Sequence, residues 1–396
     1  MLETLAIIVF WVALLLLVHA YGGYAMLLRS LVKLFPSKFV ACPVPIVRQK
    51  PNVSVLLTVH NEQQHIVPRL ENLLSQDYPQ ELMEIVVASD GSDDHTDDLV
   101  IEFAAQSDAN IKLISVTGRE GKSGAQNHAL PKLTNEIVVL TDAAARFAPD
   151  FIARIVAPFA DDTVGCAVGR VAFSDEDTGV SRGMRRYWRT EMALRETESR
   201  LGILAVASGQ AMAFRKSLFR PLPLHVGDDC IIPLDVVASG ARVVHVQDAL
   251  TYDEAESGIK GELRSRARMT ARNWVGTWRH PALLSPFGHP GYAFSLWSHK
   301  LLRWLSPVLL ASLFVAALFM ADRPFYGAIA CISSVGLALA GIGWAAEARL
   351  GHGQTVPHIP GLSLAQFAFA FFLAQMGFFW GLWIAVRGQR IRAYKT

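Results

Sequence analysis

Three short apolar runs of this chain end in polar residues that a buried strand would not choose for itself. Residues 53–58 run into His60, Asn61 and Glu62, residues 85–89 into Asp90, Gly91, Ser92, Asp93 and Asp94, and residues 137–141 into Asp142. Ligands of an open parallel α/β sheet bind outside the carboxyl ends of its strands, so three such ends can build one acidic, hydrogen-bonding pocket. Asp90 can accept the imide hydrogen of a uracil or bind ribose hydroxyls, with Gly91 permitting a tight turn and Ser92 beside it. The same run also suits turn chemistry plus a helix cap, the role expected of Asp94 and Asp97. His60 can stack on a base and Glu62 can meet ribose or a basic neighbour; an Asn cap with a first-turn Glu is the plainer use of the same residues.

Lys122 lies in the run Gly121-Lys122-Ser123-Gly124 at a helix start, with Asn127 further along that helix. Backbone N–H groups and the helix dipole favour anions at such a terminus, which suits pyrophosphate; a solvated lysine is the commoner fate. Asp142 follows its run with no turn residue to explain it, and Ala143, Ala144 and Ala145 leave open space around it. A divalent ion bridging two phosphates needs one or two hard carboxylates; the alternative for Asp142 is a buried pair with Lys122 or an arginine. Tyr187, Trp188, Glu191, Arg195 and Glu198 read as a polar-lined helix leading to Gly209-Gln210-Ala211-Met212, a close approach to a sugar. Glu191 and Glu198 can serve there simply as surface charges paired with Arg195.

These residues need a frame to hold them. The three runs, with a fourth at 111–116, alternate with helical patterns at 62–74, 96–106 and 123–133. Such alternation predicts a mostly parallel sheet with helices on both faces. Neither GxGxxG nor a P-loop lysine motif is present, which argues against a dinucleotide fold or a P-loop ATPase. The chain has 396 residues, 52% of them hydrophobic and 18% charged, with the apolar excess at its two ends. Residues 4–28 carry no charge, enough to cross a hydrocarbon core of about 30 Å. They follow Glu3 rather than a basic leader, so a retained anchor is expected in place of a cleaved signal peptide. Residues 304–321, 324–346 and 359–386 are further charge-free stretches.

Arg29, Lys33, Lys38, Arg48 and Lys50 after the first stretch, and Lys300 and Arg303 before the second, place the polar block in the cytoplasm and the N-terminus outside. Three full crossings would then leave the basic residues at 387–392 outside, which the same rule disfavours. Either that tail is an exception or one segment only dips into the membrane, with 324–346, holding Gly336, Gly341 and Gly343, as the candidate. A net charge of +2 gives no case for nucleic acid. Cys42, Cys166, Cys230 and Cys331 show no CxxC spacing and no clustering with His, so a reduced, non-metal role is expected.

Together these residues resemble the nucleotide-binding half of glycosyltransferase family 2, whose catalytic domain has the GT-A fold, a Rossmann-like, mostly parallel α/β sheet. The resemblance covers roughly residues 52–278. The family's opening strand with Asn-Glu matches residues 53–62, its Asp-Gly-Ser turn matches Asp90, Gly91 and Ser92, and its Gly-Lys…Asn helix start matches Gly121, Lys122 and Asn127. Its metal-binding Asp-x-Asp matches at Asp142 only, because Ala144 fills the second acidic position. A divalent cation, Mg2+ or Mn2+, is thus implied at Asp142; either another residue completes its coordination or metal binding is weakened.

The family's general base is a carboxylate, usually in a Glu-Asp pair, that takes the acceptor hydroxyl's proton in an inverting transfer. Gly227-Asp228-Asp229-Cys230, ahead of Gly240, matches its spacing, so Asp229 is implied as the base. Without the resemblance, Asp228 and Asp229 can merely cap a helix at 231–238. Processive members carry Gln-x-x-Arg-Trp; Ser265-Arg266-Ala267-Arg268-Met269 keeps only the arginine, Arg268, to hold the departing pyrophosphate. Arg264, Arg266, Arg268 and Arg272 with Trp274 and Trp278 also suit a helix lying at the membrane surface.

The expectation is a membrane-anchored, inverting, non-processive transferase with a UDP-linked sugar as donor and a lipid-linked saccharide or exopolysaccharide as acceptor. His60, Glu62 and Asp90 would hold the nucleoside, Lys122 and Arg268 the pyrophosphate, with Gly209 close to the sugar and Ser92 and Asn127 as further substrate-binding residues. The rivals are a transferase with polyprenyl phosphate as acceptor and a nucleotide-sensing or scaffold subunit of a polysaccharide export complex. The expected divisions are an anchor at 1–30, a linker at 31–51, the GT-A domain at 52–279, an interfacial segment at 280–303, membrane helices at 304–387 and a basic tail at 388–396. Multi-pass insertion in the inner membrane, with the domain cytoplasmic, completes the expectation.

Overall fold

The computed structural model of the chain describes residues 1–35, 50–173, 179–253, 258–351 and 361–389. Most of the expected linker and of the basic tail lies outside the described residues. The chain opens with one long helix, α1 (Leu2–Leu34), interrupted at His19–Gly23 by a π turn.

The domain's first half contains β1 (Val53–Val59), α2 (Ile66–Leu74), β2 (Met83–Asp90), α3 (Thr96–Ala105), β3 (Asn110–Val116), α4 (Lys122–Ala129) and β4 (Ile137–Asp142). These strands are parallel neighbours, as the alternation predicts. Their apolar residues divide between two faces. Val55, Leu57, Val87 and Val139 pack with Ile66, Leu70 and Leu73 of α2, whereas Leu56, Val86 and Leu140 pack with Ala125 and Ala129 of α4. Burial on both faces is why these strands read as continuous apolar runs instead of alternating ones.

The second half adds β5 (Arg146–Phe147), α5 (Phe151–Val156), β6 (Val164–Phe173), α6 (Gly179–Arg200), β7 (Met212–Arg215), α7 (Asp228–Ala238), β8 (Arg242–Asp253) and α8 (Ile259–Thr277). The resulting eight-stranded sheet has the order β3-β2-β1-β4-β7-β6-β8-β5, with β7 antiparallel to both its neighbours. Glu84, near the start of β2, is a buried exception. It accepts from Ser54 Oγ at 2.6 Å, Lys112 Nζ at 2.7 Å and the Thr134 N–H at 3.0 Å. Burial opposes its charge, but these donors outweigh burial and hold the carboxyl at about 2.

Three further helices, α9 (Pro290–Phe319), α10 (Pro324–Gly351) and α11 (Leu362–Val386), join α1 as the four that are long and apolar enough to cross a membrane. The expected interfacial segment therefore ends in the first turns of α9, which begins well before residue 304. Phe10, Ala13 and Leu17 of α1 pack with Leu313 and Ala317 of α9 and with Met320 just after it. At the opposite end, Gln375 of α11 donates to Tyr21 Oη and accepts from Ser306 Oγ. Helix α8 lies against α11 where Gly377 and Gly381 have no Cβ to meet Arg266 and Thr270. The domain core then continues into the membrane helices through Leu301, Trp304, Phe378 and Leu382.

Candidate active site

The register aligns the three polar strand ends, since Thr58 of β1 pairs with Ala88 of β2 on one side and Asp142 of β4 on the other. Past β1 the chain turns sharply at Asn61, whose φ of +55° is rare outside glycine but tolerated by Asn. The Asn61 side chain explains the turn: its Nδ2 donates to Asp93 Oδ1 at 2.6 Å and its Oδ1 accepts the Asp93 N–H at 3.0 Å. This clamp delays α2 to Ile66, later than residue 62. Ser92 Oγ accepts the Asn61 N–H, and the Glu62 carboxylate meets His65 Nδ1 at 2.8 Å. Asp94, one residue before the N-cap His95, accepts the Thr96 N–H at 3.0 Å, and Asp97 accepts from Ser115 Oγ at 2.6 Å, tying α3 to β3.

Asp90 is buried and already engaged. Its two oxygens accept the backbone N–H groups of Glu120 at 2.9 Å and Gly121 at 2.8 Å, shaping the loop that launches Lys122. The carbonyl of Asp90 lies 2.9 Å from His60 Nδ1, while His60 Nε2 is buried with no partner among the described residues. Asn127 is spent on the backbone of Leu222, exchanging bonds of 2.8 and 2.7 Å with its C=O and N–H. Beneath Asp142, the wholly buried Arg69 donates to Thr141 Oγ1 at 2.6 Å and stacks on Phe147 at 4.1 Å. Burial, together with Arg146, pushes the Arg69 guanidinium down to about 9 against the pull of Asp142.

A cavity of about 350 Å³ opens beside this edge, and Lys122, Asp142, Gly209, Asp229 and Arg268 all line it. His60, Glu62, Asp90, Ser92 and Asn127 are not among its lining residues. Lys122 Nζ bridges two carboxylates, at 2.7 Å from Asp142 Oδ1 and 3.0 Å from Asp228 Oδ2. The ion pair weighed for Asp142 from sequence is therefore formed. Gly209 leaves room here: a Cβ would stand 3.2 Å from both Asp228 Oδ1 and Lys122 Nζ, a tight approach that those side chains would have to yield to.

Asp228 and Asp229 open α7, where the helix terminus favours negative charge. Their environments separate them. Burial acts against both charges, but Lys122 and a 2.9 Å bond from Gln126 Nε2 hold Asp228 below the usual carboxylate range. Burial and the adjacent Asp228 push Asp229 up, against Arg272, Lys122 and Lys300. Two neighbouring carboxyls driven apart in this way can divide labour, one as a fixed charge and the other as a proton acceptor.

The far wall corrects the expectation for α6. Glu191 and Glu198 are buried, not surface charges, and their main partners come from the membrane helices. Glu191 is met by Arg195 Nε at 3.1 Å, Lys300 Nζ at 2.9 Å, Arg303 Nη1 at 2.8 Å and His299 Nε2 at 2.9 Å. Glu198 accepts from Tyr24 Oη at 2.7 Å and Ser295 Oγ at 3.0 Å and meets His299 Nδ1 at 2.9 Å. The π turn Leu296–Leu301 of α9 carries His299 and Lys300 into this wall, and His19, on the π turn of α1, meets Ser298 Oγ at 2.9 Å. Such turns often mark functional positions. The i,i+4 spacing of Glu191 and Arg195 is visible in the sequence, but nothing local announces partners on α9. Arg272, assigned from sequence to a membrane-surface helix, also lines the cavity.

Among the described residues, no group of three or more His, Cys, Asp or Glu side chains is placed to hold a metal ion. Asp142 is the carboxylate at the expected position, and Ala144 offers none. The residues fit a divalent cation in one way, with Asp142 supplying one carboxylate and a ligand's phosphates completing the shell, as Mg2+ sites commonly do.

Residues 54–222 match the model of the family described as glycosyl transferase family 2. An N-acetylglucosaminyltransferase of Rhizobium meliloti is 26% identical over 258 residues, covering 61% of this chain and 60% of the relative. A beta-monoglucosyldiacylglycerol synthase of Trichormus variabilis is 28% identical over 169 residues, covering 42% of this chain and 36% of the relative. The chain thus spans little more than half the length of the first of these relatives, and about a third of the second. A mannosyltransferase of Pyrobaculum calidifontis, solved in complex with GDP-Man and Mn2+, shares the fold with a TM-score of 0.69 at 24% identity, covering 94% of this chain and 99% of that one. With the mixed, mostly parallel GT-A-like sheet and the polar strand ends, these matches make the domain at 54–222 similar to glycosyl transferase family 2.

Proposed function

We propose that the chain is an inverting, non-processive glycosyltransferase that moves a sugar from a UDP-linked donor to an acceptor held at the membrane. One observation carries this: a single cavity joins Lys122 and Asp142 at the strand ends to Asp229, and then to Lys300, Trp304 and Phe378 of the membrane helices. Donor and acceptor sides therefore share one space, and the acceptor side is built partly from helices long enough to span a bilayer. A lipid-linked saccharide or growing exopolysaccharide suits such a wall. The family match over residues 54–222 and the relatives named as sugar transferases support the reaction class.

In this account Lys122, at the start of α4, leaves its place between Asp142 and Asp228 to meet the donor's diphosphate, helped by the helix terminus. Arg268 approaches the same diphosphate, and Gly209 leaves room for the sugar. Asp229 takes the proton of the acceptor hydroxyl as that oxygen attacks the anomeric carbon and the nucleoside diphosphate departs. Asp142 would hold a divalent cation, Mg2+ or Mn2+, which when bound neutralises charge on the diphosphate. Asp90 and His60 shape the nucleoside edge. Arg29 and Lys33 at one end of α1, against Glu3 at the other, support a cytoplasmic domain in the inner membrane.

The test is turnover of UDP-N-acetylglucosamine, UDP-glucose and GDP-mannose by the purified full chain with a membrane lipid extract as acceptor. UDP-sugar turnover that is abolished in Asp229→Asn supports the reading. Binding of UDP without turnover of any donor would favour a nucleotide-sensing subunit instead.

A further inference from the structure

Arg272 leaves α8 toward the protein, not the bilayer. Its Nη2 donates to the Val226 carbonyl at 2.7 Å and reaches Ser123 Oγ at 3.3 Å. Ser123 Oγ donates to the same carbonyl at 3.1 Å. One guanidinium thus joins three pieces: α8, the start of α4 immediately after Lys122, and the turn at 226–229 that delivers Asp228 and Asp229. Its Nε is buried without a partner among the described residues, a costly state for an N–H donor. An arginine held at that cost is poorly explained by packing alone.

The turn it grips is tightly built. A Cβ at Gly227 would collide with Asp229 Oδ1 and stand 2.8 Å from Asn273 Oδ1, the neighbour of Arg272 on α8. Helix α8 therefore stands against the 226–229 turn with two consecutive residues, Arg272 at the Val226 carbonyl and Asn273 beside Gly227. The charged groups acting on Asp229 are Asp228 from its own helix, Lys122 from α4, Arg272 from α8 and Lys300 from α9. Of the three cations, Lys122 is bonded to Asp142 and Asp228, and Lys300 to Glu191.

We propose that Arg272 is a positioning residue for glycosyl transfer, orienting the 226–229 turn through the Val226 carbonyl and supplying a fixed positive charge beside Asp228 and Asp229. The inference rests on Asp229 being the base. With a neutral side chain at 272, burial and Asp228 act on Asp229 with less opposition. Asp229 then keeps its proton to higher pH, and activity is lost first on the acidic side. The arginine is thereby part of what couples donor binding at Lys122 to readiness of the base.

The experiment is the pH profile of UDP release from UDP-N-acetylglucosamine by the full chain in detergent with a membrane lipid extract as acceptor, for wild type, Arg272→Lys, Arg272→Met and Arg272→Gln. Binding of UDP by calorimetry serves as the measure of an intact donor site. The neutral variants should move the acidic limb up by about one pH unit, as expected for loss of one nearby opposite charge. Their deficit should be roughly tenfold larger below the limb than on the plateau. Arg272→Lys, which keeps the charge, should leave the limb within about 0.3 unit of wild type. A limb unmoved in both neutral variants, or a uniform loss at every pH, overturns the role. Asp229→Asn separates the two levels: if it retains turnover, the base assignment itself is wrong, whereas an inactive Asp229→Asn with an unmoved Arg272→Met limb refutes Arg272 alone.

Discussion

Replacing Glu191 with Gln tests how the domain is joined to its membrane helices. The wild-type carboxylate serves four donors, Arg195, His299, Lys300 and Arg303, with its side chain 1% exposed. Burial resists this charge, but His299, Lys300 and Arg195 hold the carboxyl well below its ordinary range. A Gln keeps one acceptor oxygen and turns an NH₂ toward the remaining cations. Charge-assisted hydrogen bonds are worth about 1.5–3 kcal/mol each, and removing one partner of a buried ion pair costs about 3–5 kcal/mol. We expect a loss of about 4 kcal/mol, a drop of roughly 8–16 °C in the midpoint for a domain of this size. The assay is thermal unfolding of the full chain in detergent, followed by tryptophan fluorescence, since Trp188 and Trp304 line the cavity beside this wall. Adding Lys300→Met to Glu191→Gln removes a stranded cation and should recover about 1–2 kcal/mol of the loss. A Glu191→Gln midpoint within about 2 °C of wild type, or strictly additive losses in the double variant, would refute this reasoning.

Three further outcomes follow from the same structure. Glu84 has a folded-state value of about 2 against an ordinary 4.5, so it contributes stability above pH 4.5 that is lost as pH falls toward 2. Glu84→Gln should therefore lose up to about 3 kcal/mol at neutral pH and show less further acid destabilisation than wild type; parallel acid-unfolding curves would contradict this. Gly209→Ala should lower kcat/KM about tenfold with the melting temperature nearly unchanged, because the added carbon disturbs Lys122 and Asp228 by only a few tenths of an ångström. Unaltered kinetics would show that the contact yields freely. Helix α10 should leave and return on one side of the membrane: its start touches Phe10 through Phe325 and Tyr326, its later half meets Ala365 at Gly343, and α11 then runs back to the domain at Arg266 and Thr270. A cysteine at Gln389 should then label from the same side as the catalytic domain, and labelling from the other side would establish a full crossing by α10.

Much of the donor half was legible in the sequence because its signals are local. Parallel strands buried on both faces leave continuous apolar runs, and a polar residue ending such a run stands out, as at Asp90 and Asp142. The roles were less legible than the positions. Asp90 reads as a ligand group, but its oxygens hold the backbone of Glu120 and Gly121. Asn127 reads as part of a binding motif, but it binds the Leu222 backbone. The wall around Glu191 was nearly invisible, because His299 and Lys300 meet it across more than a hundred residues and through a π turn that no periodicity announces. Arg272 was misplaced for a related reason: four arginines on one amphipathic helix look alike until the neighbouring α11, with Gly377 and Gly381, shows which face is occupied.

The central claim is that Asp229 removes the acceptor proton in a cavity shared by donor and membrane helices. The most direct measurement compares UDP release from UDP-N-acetylglucosamine by wild type and Asp229→Asn, with a membrane lipid extract present and UDP affinity measured alongside. The rate of Asp229→Asn should fall about 10²–10⁴-fold with UDP affinity essentially retained. Turnover by Asp229→Asn at the wild-type rate would contradict it.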